Sequence, residues 1–144
     1  RGLGDVYKRQ EDLVKELGLE DRVIFAGFVP DDELPKYYNA ADIAVSASKF
    51  ETQGLSILEA MASGKTVACR NGRAFTEIVH DGVNGYLFDD ESECADAMRR
   101  ALDAPEDVRE ASYHTALENS RERSVQKYIE AYELAIRTKE ARRK

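Results

Sequence analysis

The chain has 144 residues, of which 42% are hydrophobic and 34% charged, so it can bury one core of its own and is not disordered. Its formal net charge of −7 argues against a general nucleic-acid-binding protein, because such proteins usually present a basic face. Cys69 and Cys94 show neither a disulfide nor a metal-binding spacing, so we expect reduced thiols in a cytoplasmic protein. No apolar run approaches the length of a membrane span, and we expect neither a signal peptide nor a metal site.

The first ten residues, RGLGDVYKRQ, allow two interpretations. They fit a loop that enters a helix, and DVYKRQ also resembles translated sequencing-adapter read-through, so no functional argument is based on residues 1–10. The helix that follows has an apolar face through Leu13 and Leu17, and Gly18 is placed to end it. We expect residues 11–144 to form a single domain without internal repeats, whose chain begins partway through a βα unit, with a helix before the first strand.

From residue 22 onward, short apolar runs alternate with helical patterns. The apolar runs predict strands at residues 22–27, 42–47, 66–70 and 86–88. The helical patterns lie at residues 31–41, 54–63, 75–80, 91–103, 106–120 and 124–140. This alternation is typical of an α/β fold, that is, a Rossmann-like parallel sheet with helices on both faces. Ligands of such sheets bind at the carboxyl ends of the strands, which directs attention to the loops at residues 27–31, 48–54 and 70–74.

The loop at residues 48–54 leads into a helix whose positive end is free. Backbone N–H groups at that end suit an anion, no acidic residue lies in the first turn, and Gly54 would allow close approach. Glu51 precedes the helix, and Glu59 lies about 7 to 8 Å along its axis from Gly54. Two carboxylates around an anion site would match a ligand with a diphosphate between two hydroxylated rings, such as a nucleotide-sugar. The spacing alone nevertheless favours an ordinary amphipathic helix with a surface Glu59 and a loop Glu51.

Several motifs occur in a fixed order between residues 22 and 89. They are RVIFAG, AAD, ETQGL followed by LEAMASG, TEIV and DGVNG. In this order and at these distances the segment resembles the C-terminal half of GT4-type glycosyltransferases, which are retaining enzymes with the two-domain GT-B fold. The resemblance implies that Glu59 binds the ribose hydroxyls of the donor. It also implies that Glu51, the catalytic candidate, contacts the hexose near the reacting carbon.

The resemblance assigns further donor-binding roles. It implies that backbone N–H groups line the diphosphate and hexose at Thr52, Gln53, Gly54, Leu55 and Ser56, and that the base is flanked by Gly27, Phe28 and Val29. The donor would be a nucleoside diphosphate sugar, with UDP-glucose favoured, and no cofactor or metal would be needed. Many family members have phenylalanine at the position of Gln53. The ETQG variant is similar to a subset of the family that includes glycolipid-forming glucosyltransferases, so the acceptor stays open and a lipid is one candidate.

The resemblance also implies parts that this chain does not carry. These are a basic pair that neutralises the diphosphate and an N-terminal domain that holds the acceptor, so we expect weak donor binding and no turnover from this chain alone. Lys49, Lys65 and Arg73 lie near the predicted loops and are interpreted as solvated surface charges. Glu77 is interpreted as an acid at a helix start, with contact to the sugar as the alternative, and Tyr38 as a core or rim residue.

The last eight residues, RTKEARRK, carry five basic residues and one acid. Their ordinary role is to complement the dipole of the last helix. One alternative is peripheral contact with anionic lipids at the inner membrane face. Another is docking of this helix on the N-terminal domain, through Tyr128, Ile129, Tyr132 and Ile136.

Two other functions compete with glycosyl transfer. A nucleotide-sugar epimerase shares the fold class, but it usually needs further acids and histidines around the hexose, and the sequence does not show them. A non-catalytic nucleotide-sugar-binding domain would carry the same donor site without turnover.

Overall fold

The structure, a computed structural model, describes the backbone of residues 3–142 and the side chains of residues 6–142. The chain divides into two compact units, residues 1–33 and residues 34–144. Residues 1 and 2 of the doubtful first segment lie outside the described residues. The origin of residues 1–10 and the single domain over residues 11–144 stay predictions.

The first unit contains one long helix and an extended tail. Helix α1 (Leu3–Glu16) begins earlier than predicted, so residues 3–10 are helical and not a loop. It ends where expected, because Gly18 adopts a left-handed backbone with φ 63° and the N–H of Leu19 bonds the carbonyl of Val14 at 3.0 Å.

The strand predicted at residues 22–27 is absent, and that prediction is wrong. Within the described chain no strand pairs with this segment. The side chain of Ile24 is 92% exposed and that of Phe25 45% exposed, so the apolar run lies on the surface. A strand forms by hydrogen bonding to a neighbouring strand, and apolar composition alone does not supply one.

The second unit is the α/β part of the chain. Its strands are β1 (Ile43–Ser46), β2 (Thr66–Arg70) and β3 (Tyr86–Phe88), which confirm the three later strand predictions to within a residue. Its helices are α2 (Leu34–Ala40), α3 (Leu55–Ala62), α4 (Arg73–Thr76), α5 (Glu91–Leu102), α6 (Glu106–Glu118) and α7 (Arg121–Ala141). The strands pair in the order β1-β2-β3 and all run parallel, as predicted.

Helices cover both faces of this sheet. Along β2, Val67 and Cys69 point into a buried cluster that contains Met61 of α3 and Ala116 of α6. Ala68, between them, points to the other face, into a cluster that contains Ala97 of α5. This alternation follows from the two-residue period of a strand. It confirms the predicted Rossmann-like sheet between two helical layers.

Helix α4 differs from the prediction, because it ends at Thr76 and does not extend to residue 80. The side chain of Asn84 explains the early end: its Oδ1 accepts the His80 N–H at 2.7 Å, and its Nδ2 donates to the Ile78 carbonyl at 2.9 Å. These bonds replace helical ones. Glu77 is therefore the residue that follows the helix, and its interpretation as a helix-start acid is wrong.

Two partly buried polar contacts join helix α6 to the turn before β2 and to the loop that follows α4. Ser112 Oγ donates to the carbonyl of Lys65 at 3.0 Å, in the turn before β2. Asn84 Nδ2 also donates to Thr115 Oγ1 at 2.8 Å. Buried polar groups that are satisfied in this way hold neighbouring elements in one arrangement. Helix α6 thus fixes both the turn into β2 and the loop that follows α4.

Helix α7 is exposed along its described length apart from the half-buried Ser124, and its exposed apolar residues include Val125, Tyr128, Ile129, Tyr132 and Ile136. Among the described residues, no helix combines the length and the apolar character that a membrane crossing requires.

The start of α3 depends on the backbone of Gly54. This residue is buried and adopts φ 61° and ψ 33°, a left-handed conformation in which a side chain is strained. A Cβ atom here would lie 3.2 Å from Ile78 Cδ1 and 3.3 Å from Phe75 Cε1. Glycine is therefore required by conformation and by packing on the core, a reason different from the anion approach that the sequence suggested.

Substitution of Gly54 by alanine should destabilise the chain more than the same substitution at Gly64. Both glycines have positive φ, but a Cβ at Gly64 would meet no atom within 4 Å. We expect Gly64→Ala to lower the free energy of unfolding by about 1 to 2 kcal/mol because of backbone strain. Gly54→Ala should cost about 1 to 3 kcal/mol more because of overpacking. Urea unfolding followed by circular dichroism measures both, and equal losses would contradict the packing contribution.

The two cysteines differ in their surroundings. Cys69 is fully buried in the sheet, and burial raises the pKa of its thiol to about 12. Cys94 is half-buried on α5, with its sulfur 4.0 Å from that of Met98. The thiolate is the reactive form, so Cys69 should be inert at neutral pH.

At pH 8, Ellman's reagent should therefore titrate Cys94 quickly in the native chain and leave Cys69 unreacted. In urea both thiols should react. The control is Cys94→Ser, which should show no fast phase before unfolding. A fast native phase in that variant would mean that Cys69 is accessible.

Candidate functional site

Two loops of the second unit meet at the carboxyl ends of β1 and β2. Because these strands are parallel neighbours, the loop at residues 47–54 and the loop at residues 71–72 leave the sheet side by side. Residues 48–51 and residues 72–75 line a small cavity of about 50 Å³ between them. Two of the loops selected from the sequence are thus brought together.

Short hydrogen bonds shape both loops. In the first, Ser48 Oγ donates to the carbonyl of Phe50 at 3.0 Å. In the second, the Asn71 N–H donates to the carbonyl of Phe88 at 2.7 Å, and Asn71 Nδ2 donates to Asp89 Oδ1 at 2.7 Å. The second loop is therefore held against the end of β3, and its position is set by the sheet.

The cavity carries charges of both signs. Glu51 lies in its wall and is half-buried, while Lys49 and Arg73 line the same cavity and are otherwise exposed. The sequence interpretation of Lys49 and Arg73 as plain surface charges missed this shared position. The available signal was that each follows the end of one of two neighbouring strands. Lys65 lies elsewhere, with its Nζ donating to the Asn39 carbonyl at 3.2 Å.

The N-terminus of α3 is open, as predicted. Its N-cap, Gly54, offers no side-chain cap, and the first turn contains no acidic residue. The Gly54 carbonyl accepts the N–H groups of Ile57 at 3.0 Å and Leu58 at 3.2 Å, which starts the helix. The predicted diphosphate residues around this end are exposed apart from Gly54 itself: Thr52, Gln53, Leu55 and Ser56. The helix dipole makes this end a favourable place for an anion.

Glu59 has a partner that the sequence did not reveal. Tyr38 Oη, on α2, donates to Glu59 Oε2 at 3.0 Å. Burial, together with the hydrogen bond to Glu59 and its negative charge, raises the pKa of Tyr38 to about 12. The phenol therefore stays protonated at neutral pH and acts as the donor. The two residues are 21 positions apart, and no local pattern links them.

The three residues predicted to flank the base belong to the first unit. Gly27 has φ 65°, Phe28 is 90% exposed, and Val29 is half-buried. Their contact with a base stays a prediction, as do the roles assigned to Glu51 and Glu59. Within the described part of the chain, no group of three or more His, Cys, Asp or Glu side chains is arranged to hold a metal ion.

Comparison with known proteins places the chain in a family. Residues 2–136 match the family described as "Glycosyl transferases group 1". The chain is 33% identical over 135 residues to the alpha-monoglucosyldiacylglycerol synthase of Streptococcus pneumoniae, an alignment that covers 90% of this chain and 31% of that protein.

Solved structures agree with this match. Sucrose-phosphate synthase from Thermosynechococcus elongatus superposes with a TM-score of 0.82 at 28% identity, over 96% of this chain and 36% of that one. Anabaena HepE, in complex with UDP-glucose, superposes with a TM-score of 0.70 at 29% identity, over 80% of this chain and 33% of that one. The chain thus spans about a third of the length of these proteins. It belongs to the group 1 glycosyl transferases, and its fold is the C-terminal half of a GT-B fold.

Proposed function

We propose that this chain is the donor-binding domain of a GT4-type, retaining hexosyltransferase that uses a nucleoside diphosphate sugar, with UDP-glucose as the favoured donor. The observation that carries the proposal is that the Glu51 loop, which leads into the uncapped N-terminus of α3, meets residues 72–75 at the carboxyl ends of parallel strands. The complex of the similar Anabaena protein with UDP-glucose supports the choice of ligand.

The diphosphate is assigned to the N-terminus of α3. Backbone N–H groups of Gly54, Leu55 and Ser56 would donate to its oxygens, with Thr52 and Gln53 beside them. This assignment fits the absence of any acid or side-chain cap at that end. A helix N-terminus carries roughly half a positive charge, so it would stabilise the charge that develops on the leaving diphosphate.

The two carboxylates are assigned to the sugars. Glu51, half-buried in the cavity wall, would accept hydroxyls of the hexose and hold its reacting carbon in place. Glu59, on α3, would accept the ribose hydroxyls, and the base would rest against Gly27, Phe28 and Val29. Attack on the face from which the diphosphate leaves would retain the configuration of the sugar, without a metal or a cofactor.

The complete reaction needs more than this domain. We assign acceptor binding to an N-terminal GT-B domain, against which α7 would dock through its exposed apolar residues. That domain would also complete the cavity around the donor. We therefore expect this chain alone to bind the donor weakly and to show no turnover.

A lipid is the proposed acceptor. The pneumococcal relative is named as an alpha-monoglucosyldiacylglycerol synthase, and the resemblance of the ETQG segment to glycolipid-forming glucosyltransferases points the same way. Phe50 and Leu55, 85% and 59% exposed, add apolar surface next to the site. Such an enzyme would work in the cytoplasm at the inner membrane face, where the basic end of α7 suits anionic headgroups.

Membership of the family argues against the epimerase alternative. A binding domain without catalysis would share every contact described above, and turnover by the full-length protein separates it from the proposed enzyme.

Binding of UDP-glucose should depend on Glu59. Saturation-transfer NMR of the wild-type chain should show contacts to ribose and hexose protons, and Glu59→Ala should lose the ribose contacts and bind about tenfold more weakly, a loss of ~1.4 kcal/mol. The control is Glu110→Ala on α6, an exposed carboxylate outside the site, which should bind as the wild type does. Unchanged binding by Glu59→Ala, or no contact with the wild type, would contradict the proposed donor site.

Arg73 should contribute to diphosphate binding through its charge. Arg73→Ala should weaken UDP binding about threefold to tenfold, because it removes a positive charge near the phosphates. Uridine has no phosphates, so its binding should stay unchanged. Arg123→Ala on α7 is the control. Calorimetry at two salt concentrations measures the effect, which should shrink as salt rises. An equal loss for uridine would mean that Arg73 acts on the fold and not on the phosphates.

A further inference from the structure

We propose that Tyr38 is a positioning residue for donor recognition: its hydroxyl orients the Glu59 carboxylate so that the carboxylate can receive the ribose hydroxyls. The inference rests on the proposed function, since that function assigns the ribose to Glu59. Neither the family motifs nor the spacing of the acids in the sequence pointed to Tyr38.

The contact is specific to one oxygen of the carboxylate. Tyr38 Oη lies 3.0 Å from Glu59 Oε2, and no other side chain in the described residues bonds this carboxylate. Glu59 itself is exposed on α3, so an unrestrained side chain would sample several rotamers. A hydrogen bond from a fixed donor selects among them. Among the described residues Oε1 has no hydrogen-bond partner, so it can accept from a ligand.

Tyr38 is held firmly enough to act as that donor. Its ring packs against the buried cluster that contains Met61 and Phe75. The end of α2 is tied down next to it, because Lys65 Nζ donates to the carbonyl of Asn39 at 3.2 Å. The backbone N–H of Lys65 bonds the carbonyl of Ala60 on α3 at 3.0 Å. The same turn therefore positions α2 and the end of the helix that carries Glu59.

The chemistry of the pair suits recognition of a diol. A carboxylate can accept several hydrogen bonds, and two neighbouring hydroxyls of a ribose can donate to it together. A neutral phenol adds a donor on one side without cancelling the negative charge that strengthens those bonds. The phenol is protonated at neutral pH, and its O–H donates to the carboxylate, so Tyr38 adds a donor to the pair.

The test compares Tyr38→Phe with Tyr37→Phe. The first removes only the hydroxyl and keeps the packed ring; the second makes the same change at the neighbouring tyrosine, which is 50% exposed. The probes are UDP and 2′,3′-dideoxy-UDP, and calorimetry gives both dissociation constants. Tyr38→Phe should weaken UDP binding about threefold to tenfold and leave binding of the dideoxy analogue unchanged. Tyr37→Phe should match the wild type with both probes.

Glu59→Asp gives a second route to the same contact. The shorter side chain keeps the carboxylate but retreats from Tyr38, so it should also lose preference for UDP over the analogue. Adding Tyr38→Phe to Glu59→Asp should cause no further loss of UDP affinity, because the effects of two substitutions that remove the same contact do not add.

The outcomes distinguish a failure of the proposed function from a failure of the role of Tyr38. A wild-type chain that binds UDP and the dideoxy analogue equally would overturn the ribose assignment of Glu59 and the proposed function with it. A wild type that prefers UDP, with Tyr38→Phe indistinguishable from it, would overturn the role of Tyr38 alone. If Tyr38→Phe weakens the binding of UDP and of the dideoxy analogue equally, Tyr38 has only a structural role.

Discussion

The packing of Phe75 and Ile78 against the backbone of Gly54 is the contact on which the candidate site depends. Gly54 belongs to the loop after β1, and its two neighbours belong to the segment after β2. A side chain at residue 54 would separate them. With glycine there, α3 begins close to the core, and its open N-terminus lies beside the cavity that contains Glu51. Because Gly54 has no side chain, the loop after β1 and the segment after β2 pack together and form one surface.

The surface around the start of α3 carries charges of both signs. The positive features, namely the N-terminus of α3 with Lys49 and Arg73, cluster where the strands end. Glu51 and Glu59 lie on either side of the helix start, each in a different environment. Glu51 is half-buried in a wall, and Glu59 is exposed but bonded to Tyr38. The chain can therefore be acidic overall and still offer a local place for an anionic ligand with hydroxyl groups at both ends.

Sequence patterns predicted those parts of the fold that depend on local periodicity and burial. Strand β2 was predicted at its observed limits because its five residues are almost wholly buried, and buried parallel strands are continuous apolar runs. The prediction of a strand at residues 22–27 was wrong because an apolar composition does not specify a neighbouring strand to pair with. The range of helix α4 was predicted wrongly because Asn84, from a later turn, forms hydrogen bonds with the Ile78 carbonyl and the His80 N–H. Likewise, the spacing of Glu51 and Glu59 around the start of a helix could be recognised in the sequence and their roles stay predictions, whereas the link from Tyr38 to Glu59 needed the tertiary structure.

The bonds of Asn84 have a consequence for how the site is made during synthesis. This side chain joins the segment that packs on Gly54 to Thr115 of α6, a residue 31 positions later. Ser112 adds a second link from α6, over 47 positions, to the turn before β2. Ribosomes add roughly 5 to 20 residues per second, so the loop at residues 47–54 leaves the ribosome seconds before the helix α6. The site is therefore completed only after α6 has emerged, and until then the segments around Glu51 lack the support that Asn84 and Ser112 provide.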